Sequence, residues 1–286
     1  MSLKSWLLLI ILSIVWGGSF YFVENAFEHF TFAQIVFFRV FFATLFILAV
    51  LIVKKTRIVL SLKLWMTFLV MSCLNNVIPF LAITYAQETI TASLASLFNA
   101  TTPIFTAILA NFLTKDEKLT WLKSMGILVG FVGMIILLQP DVFTTFESAS
   151  FFAIAGAVSY AIAGVYGKRL KEYDPMLSVF GMLSCSSLII YVLFSSSINT
   201  VEVHSFYVWQ DLIMLALFST TIAYIIYFKL LFSIGAVKLL LVTYLIPVSA
   251  SALGVFLLNE EFTMNMIVGS GFIFASLWLI NKEKKR

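Results

Sequence analysis

The sequence predicts an all-α integral membrane protein of ten transmembrane helices, arranged as two inverted five-helix repeats. Three observations predict this fold: long apolar runs, a pattern that occurs twice, and charges that alternate between the connections. Of the 286 residues, 62% are hydrophobic and 11% are charged, whereas soluble proteins average about 45–50% apolar and about 25% charged residues. The composition excludes an ordinary soluble domain and predicts a lipid bilayer as the surrounding medium.

Ten apolar runs each approach the length that a helix needs to cross the bilayer core, roughly 20 residues. Glu24, Asn25, Ala26 and Phe27 follow the first run without a small-residue cleavage site, so we expect this run to be retained as the first span. The predicted spans cover about residues 6–23, 32–53, 64–86, 91–113, 120–138, 150–167, 176–194, 206–228, 237–258 and 264–281.

The same residue pattern occurs twice in the chain, at a constant offset of 144 positions. An offset that needs no gap indicates an internal duplication. We predict a first repeat at residues 1–142 and a second at residues 145–286. Because five crossings are an odd number, the second repeat is expected to be inverted, as in many secondary transporters. The matched landmarks are Trp16 with Tyr160, Asn75 and Asn76 with Ser219 and Thr220, Asn99 with Thr243, Pro103 with Pro247, and Glu117 with Glu261.

Basic residues occupy the termini and every second connection, and acidic residues occupy the connections between. Since loops rich in Lys and Arg stay in the cytoplasm, we predict cytoplasmic termini in a cell inner membrane. The isoelectric point of about 9.0 then reflects this asymmetry and not nucleic-acid binding. The basic set includes Lys4, Lys54, Lys55, Arg57, Lys63, Lys115, Lys118, Lys123, Lys168, Arg169, Lys171, Lys229, Lys238, Lys282, Lys284, Lys285 and Arg286. The acidic set is Glu24, Glu28, Glu88, Asp141, Glu147, Glu202, Asp211, Glu260 and Glu261.

Polar and aromatic residues at matched depths predict a central substrate cavity. Pro103 and Pro247 kink the fourth and ninth spans at equivalent places, which points to the repeat interface where transporter sites are usually built. The alternative is that the amide and hydroxyl groups only join helices. The predicted lining residues are Trp16, Asn76, Phe80, Asn99, Thr102, Tyr160, Thr220, Tyr224 and Thr243.

Arg39 is a basic residue inside the second span, and the matched position in the other half is Leu183. An arginine at this depth is costly unless it finds a partner or reaches the interface. Two interpretations stay open. Arg39 is either an anchor that extends toward the headgroups or a gate or coupling residue that pairs with Glu24.

Gly126, Gly130 and Gly133 form a stripe of small residues on the fifth span. Such stripes allow two helix backbones to approach closely. The partner helix is expected either within the protomer or in a second protomer, which predicts a homodimer in the latter case.

Several segments resemble the EamA family of the drug/metabolite transporter superfamily. In the first half they are Trp16-Gly17-Gly18-Ser19-Phe20, Phe38-Arg39, Thr102-Pro103-Ile104-Phe105 and the stretch from Leu113 to Glu117; in the second half they include Ile246-Pro247, Leu258, Glu260, Glu261 and Gly269. The resemblance implies ten helices and a cavity lined by spans 1, 3, 4, 6, 8 and 9. It also implies transport of small metabolites, frequently the export of amino acids or related compounds.

We therefore predict a secondary transporter that works by alternating access, without a cofactor or metal. The chain has no Walker-type phosphate loop, so the expected driving force is a proton gradient or the gradient of the solute. Multidrug efflux and facilitated metabolite uptake are the alternatives within transport, and a receptor or scaffold is the alternative outside it. An enzyme is not expected, because no nucleophile, carboxylate pair or metal-ligand cluster occurs at one depth.

Overall fold

The computed structural model of the chain describes residues 1–115, 117–139, 148–201, 206–258 and 263–282. Outside these ranges lie Asp141, Glu147, Glu202, Glu260, Glu261, Lys284, Lys285 and Arg286 of the predicted charge pattern, together with the predicted repeat boundary at 142–145. Ten helices lie within the described ranges: α1 (Leu3–Ala26), α2 (Phe32–Val53), α3 (Leu62–Ala86), α4 (Ala92–Asn99 and Thr102–Leu113), α5 (Trp121–Leu138), α6 (Ala149–Leu170), α7 (Pro175–Ile198), α8 (Phe206–Ile234), α9 (Ala236–Leu240 and Val242–Leu258) and α10 (Met264–Lys282).

These helices confirm the predicted all-α membrane fold. Over the described residues, nine of them are long and apolar enough to cross a bilayer, while α9 is a shorter apolar helix. In hydrocarbon a helix satisfies its own backbone polar groups, which is why apolar runs of this length fold as helices.

Short polar signals set where the helices begin. Thr31 and Gln34 form a capping box at the start of α2, in which each side chain accepts a hydrogen bond from the backbone N–H of the other residue. The Gln34 amide also donates to the Ser197 carbonyl oxygen at 2.8 Å and ties the start of α2 to the end of α7. Asp174 caps α7 by accepting from the Met176 N–H at 2.7 Å.

The start of α1 and the end of α10 lie at the same end of the bundle. The amino group of Met1 donates to Asn281 Oδ1 at 2.8 Å, which joins the start of α1 to the end of α10. We call this end of the bundle the terminal end and the opposite end the far end. Because each half contributes five helices, α1 runs from the terminal end to the far end, and α6 runs the other way.

Helix packing repeats in the two halves. The second part of α3 and both parts of α4 pack on α6, and in the other half α8 and α9 pack on α1 in the same manner. The remaining large interfaces pair equivalent helices, α2 with α7 and α5 with α10. This arrangement is that of two inverted repeats in one bundle.

The glycine stripe on α5 is used within the protomer. A Cβ atom at Gly133 would lie 2.8 Å from the Gly269 carbonyl oxygen on α10, and a Cβ at Gly269 would lie 2.7 Å from the Gly133 carbonyl oxygen. Gly126 similarly faces Ile280 and Ser276 of α10. The close helix packing that the stripe predicts therefore joins α5 to α10 of the same chain.

Two π-helical segments interrupt α3 and α8 at matched positions. They cover Cys73–Val77 and Leu217–Ile222, and their first residues are 144 positions apart. π turns are rare and occur frequently at functional sites. Hydrophobic periodicity did not predict them, because a π turn shifts the register of a helix without changing its composition.

Candidate functional site

A cavity lies between the two repeats, and its wall is built by α1, α2, α3, α4, α6, α8 and α9. Its volume, measured for the centres of water molecules, is about 60 Å³. This corresponds to roughly four water molecules. The lining residues are Trp16, Ser19, Phe20, Val23, Arg39, Phe80, Ile83, Thr84, Gln87, Asn99, Thr102, Tyr160, Tyr224, Tyr227, Leu240, Thr243 and Ile246.

The structure brings most of the predicted site residues into this wall. Those that line it are Trp16, Phe80, Asn99, Thr102, Tyr160, Tyr224 and Thr243. Asn76 and Thr220 are fully buried behind the wall. Gln87 and Ser19 are lining residues that the prediction did not include. Gln87 lies seven residues beyond Phe80, and Ser19 lies three beyond Trp16, so extending each helix face by one or two turns finds both.

Aromatic rings cover much of the cavity wall. The Trp16 ring lies 6.5 Å from the Tyr224 ring and 6.1 Å from the Tyr227 ring, measured between centroids. On the other side, Phe80 stacks on Tyr224 at 6.4 Å and meets Tyr160 edge-on at 6.5 Å. This contact geometry is favourable for aromatic pairs, and it leaves a mostly apolar chamber with a small number of polar groups.

Asn76 orients the aromatic wall from behind. The Tyr224 hydroxyl lies 2.7 Å from Asn76 Oδ1 and 3.0 Å from the Asn75 carbonyl oxygen. The Asn76 amide nitrogen in turn donates to Ser186 Oγ on α7 at 2.8 Å. Since buried polar groups need partners, this chain of hydrogen bonds joins the π segment of α3 to α7 and α8.

Arg39 lines the cavity and is 7% exposed. Its Nε donates to Thr220 Oγ1 at 2.9 Å, and its Nη2 lies 3.4 Å from the Ser219 carbonyl oxygen. The guanidinium carbon stands 3.8 Å above the centre of the Phe80 ring, a favourable cation–π position. The π segment of α8 therefore supplies both acceptors that hold Arg39.

Glu24 and Arg39 do not form an ion pair in this structure. Glu24 is exposed near the far end of α1, while the Arg39 guanidinium contacts Thr220, Ser219 and Phe80. Arg39 reaches into the cavity and not toward the headgroups. A gate or coupling role for the two residues stays a prediction.

An ion pair and a close glycine contact join the connections at the terminal end of the bundle. There Lys168 Nζ lies 3.1 Å from Glu117 Oε2, which joins the end of α6 to the connection after α4. Gly235, between α8 and α9, has φ of 85° and packs against the Glu117 carboxylate so closely that a Cβ would collide with it. Toward the far end the cavity lining reaches Val23, in the last turn of α1, and Gln87, directly after α3.

Comparison with known proteins agrees with this architecture. The profile of the EamA-like transporter family matches residues 3–139 and again residues 147–282. The chain belongs to the EamA-like transporter family. It is therefore a multi-pass membrane protein and a secondary transporter of small molecules, not an enzyme.

Similar proteins include transporters with different stated directions. The chain is 24% identical over 247 residues to the uncharacterized transporter YoaV of Bacillus subtilis, with 84% of each chain covered. It is 25% identical to a probable amino-acid metabolite efflux pump of Salmonella typhimurium, covering 98% of this chain and 95% of the relative. It is also 25% identical to an S-adenosylmethionine uptake transporter of Rickettsia prowazekii, covering 88% and 84%.

A solved crystal structure shares the fold. It superposes with a TM-score of 0.76 at 14% sequence identity, and the match covers 96% of each chain. At that identity the likeness concerns the fold alone.

Proposed function

We propose that this protein exports small metabolites, amino acids or related compounds, across the cell inner membrane by alternating access. The observation that carries the proposal is the cavity between the repeats, whose lining reaches Val23 and Gln87 near the far end, while Glu117 and Lys168 pair at the terminal end. Inverted repeats allow one half to rock against the other around a central site. With both termini in the cytoplasm, as the loop charges predict, this arrangement faces outward.

The proposed substrate-binding residues are the nine predicted from the sequence, in two roles. Seven of them line the cavity and contact the solute directly, while Asn76 and Thr220 position Tyr224 and Arg39. Residues 1–142 and 145–286 are the two moving repeats in this proposal. The relative described as a probable amino-acid metabolite efflux pump supports both the substrate class and the direction.

Reconstitution into liposomes tests the proposal. A mixed pool of small metabolites is loaded, and efflux is measured with and without a pH gradient. We expect efflux of amino-acid-like solutes. A Trp16→Ala variant should lower the rate of this efflux, because Trp16 lines the cavity. Efflux that responds to the pH gradient would establish proton coupling. Binding of a solute that is never moved would contradict transport and favour a receptor.

Two other transport functions have specific support. The rings of Trp16 and Tyr227 are suited to flat organic cations, which favours multidrug efflux. No acidic residue of the described part of the chain lines the cavity, which favours facilitated uptake without a coupling proton. A relative from Rickettsia prowazekii is named as an uptake transporter. Efflux of lipophilic cations in preference to metabolites, or net uptake down a gradient, would replace the export proposal.

Membrane orientation and assembly complete the proposal. A reporter fused after Arg286 is expected to be cytoplasmic, and a periplasmic signal would reverse the proposed direction of the cavity. Because the glycine stripe of α5 packs on α10 of the same chain, it no longer supports a homodimer. The mass of the protein in detergent, measured by light scattering, decides between monomer and dimer.

A further inference from the structure

The cavity contains a cation whose charge is not balanced by the described residues. A guanidinium has five N–H donors, and the Arg39 side chain uses two of them, on Nε and Nη2. Three donors remain, and the side chain is more than nine-tenths buried. A buried charge without a partner is costly, so the energetics favour a bound group of opposite charge.

No acidic residue of the described ranges lines this cavity. Glu24 and Glu88 are exposed near the far end, and Glu117 pairs with Lys168 at the terminal end. Within the described ranges, Arg39 is the charged side chain in the cavity wall. The cavity therefore presents a single positive charge in an otherwise neutral, largely aromatic chamber.

The hydrogen bonds to α8 decide which donors of Arg39 remain. Thr220 Oγ1 and the Ser219 carbonyl oxygen occupy the edge formed by Nε and Nη2. Among the described residues no acceptor is found for Nη1, which forms the adjacent edge together with the second hydrogen of Nη2. Two parallel N–H groups on one edge match the two oxygens of a carboxylate.

Charge and shape limit the solute further. One cation balances one negative charge, so a monoanion leaves the site neutral, whereas a phosphate dianion leaves an excess negative charge in a medium of low dielectric constant. The rings of Trp16 and Tyr227 suit an apolar body, and Asn99 and Thr243 offer hydrogen bonds to a small polar substituent.

We propose that Arg39 is the anion-binding group of the cavity and that the transported solute is a small organic monocarboxylate. The inference rests on the proposed transport function and narrows it. A solute with a carboxylate and net charge of −1 binds best, a zwitterion of the same skeleton binds less well, and a cation of that skeleton binds least. Thr220 is a positioning residue for the guanidinium.

A charge series on one carbon skeleton tests the inference with the purified full-length protein. The probes are 4-methyl-2-oxopentanoate as monoanion, leucine as zwitterion, leucinamide as cation and isopentyl phosphate as dianion. Binding is measured by isothermal titration and flux in proteoliposomes. We expect the keto acid to bind at least about tenfold more tightly than leucine, because both carry the carboxylate but the ammonium group of leucine adds a second positive charge to a site of low dielectric constant. Equal or tighter binding of leucinamide, leucine or the phosphate would overturn the proposal.

Three variants assign the effect to the guanidinium. Arg39→Gln is expected to weaken keto acid binding by about 10- to 100-fold and to abolish the preference for the anion. Arg39→Lys keeps the positive charge but removes the paired N–H donors of the guanidinium. The preference for the anion should therefore remain, while the affinity for the keto acid falls. Arg169→Gln removes the same charge from an exposed site over Tyr166 and is expected to match wild type. An unchanged probe order in Arg39→Gln contradicts the assignment; if that variant does not fold, Arg39→Lys and the wild-type series decide.

The two proposals fail in different ways. If no probe or metabolite crosses the liposome membrane but the keto acid binds best, the transport proposal is wrong and the anion site stands. If leucine is transported while the keto acid neither binds nor moves, the transport proposal stands and the anion site is wrong.

Discussion

The third helix of each half carries a π segment at the same position, but the two segments carry different side chains. In α3 the π segment carries Asn76, whose amide donates to Ser186 on α7. In α8 the matched segment carries Thr220, whose hydroxyl accepts from Arg39 on α2. The backbone feature is therefore common to both repeats. The side chains differ in role: Asn76 joins neighbouring helices, whereas Thr220 positions the charged Arg39.

The same contrast holds at the two ends of the bundle. Glu117 and Lys168 form the ion pair at the terminal end. Under the offset of 144 positions, these residues correspond to Glu261 and Glu24, which are both acidic. Two carboxylates repel each other at short distance, so the matched residues cannot form an equivalent ion pair at the far end. A symmetric backbone thus carries an asymmetric set of charges.

The largest effect is expected where α5 and α10, the matched fifth helices, pack together. In Gly133→Leu the new side chain would overlap the Gly269 carbonyl oxygen on α10. This substitution should therefore destabilise the protein by about 1–3 kcal/mol or more. The measurements are the yield of monodisperse protein and the midpoint of thermal unfolding. Gly271→Leu is the control, because a Cβ there meets nothing within 4 Å. Equal loss in both variants would show that the close approach is not the cause.

The next effect separates the two π segments. Asn76→Ala removes the donor to Ser186 and the acceptor of Tyr224, and leaving such groups unpaired costs about 1–3 kcal/mol. Thermal unfolding should show this loss. Thr220→Ala is expected to change stability less and to weaken solute binding more, because Thr220 holds the cavity-lining Arg39. The opposite ranking would contradict the division into a structural and a functional segment.

A smaller effect is expected when the halves are made more alike. Tyr224 corresponds to Phe80 under the offset, and Tyr224→Phe removes a buried hydroxyl that contacts Asn76. We expect a loss of about 1 kcal/mol in unfolding free energy. Tyr173→Phe, at an exposed tyrosine, provides the matched deletion of a hydroxyl. No difference between the two variants would mean that the contact to Asn76 contributes nothing.

The smallest effect is expected from the ion pair at the terminal end. Exposed ion pairs contribute about 0.2–1 kcal/mol, and the Gln side chain keeps a hydrogen-bond acceptor for Lys168, so Glu117→Gln should shift the conformational equilibrium by severalfold. The readout is maleimide labelling of Leu240→Cys from the terminal end, with Cys73 and Cys185 replaced. We expect faster labelling, because Leu240 is the cavity residue nearest that end of α9. Glu88→Gln at the far end should leave the labelling rate unchanged. A slower labelling rate in Glu117→Gln would contradict the idea that the ion pair restricts access from the terminal end.

Local patterns predicted much of the candidate site. Trp16, Asn99 and Tyr160 were found because side chains with a polar group are infrequent at mid-depth in apolar spans, and because these three occupy matched positions in the two repeats. The roles of Asn76 and Thr220 behind the wall were not predicted, since a helix face does not show whether a side chain reaches the cavity or a neighbouring helix. Asn76 meets Ser186 across 110 positions of sequence, and nothing local encodes that contact.

The sequence by itself determined the ten helices and their repetition, because hydropathy and helix caps act within one segment of chain. Its loop charges predict the orientation by the same local logic. The tertiary structure alone decided that the glycines of α5 meet α10, that two helices carry π segments, and that Arg39 rests on Thr220 and Phe80. These features depend on contacts between residues far apart in the chain. Such contacts arise only when the two repeats pack, and packing sets which donors a buried charge retains.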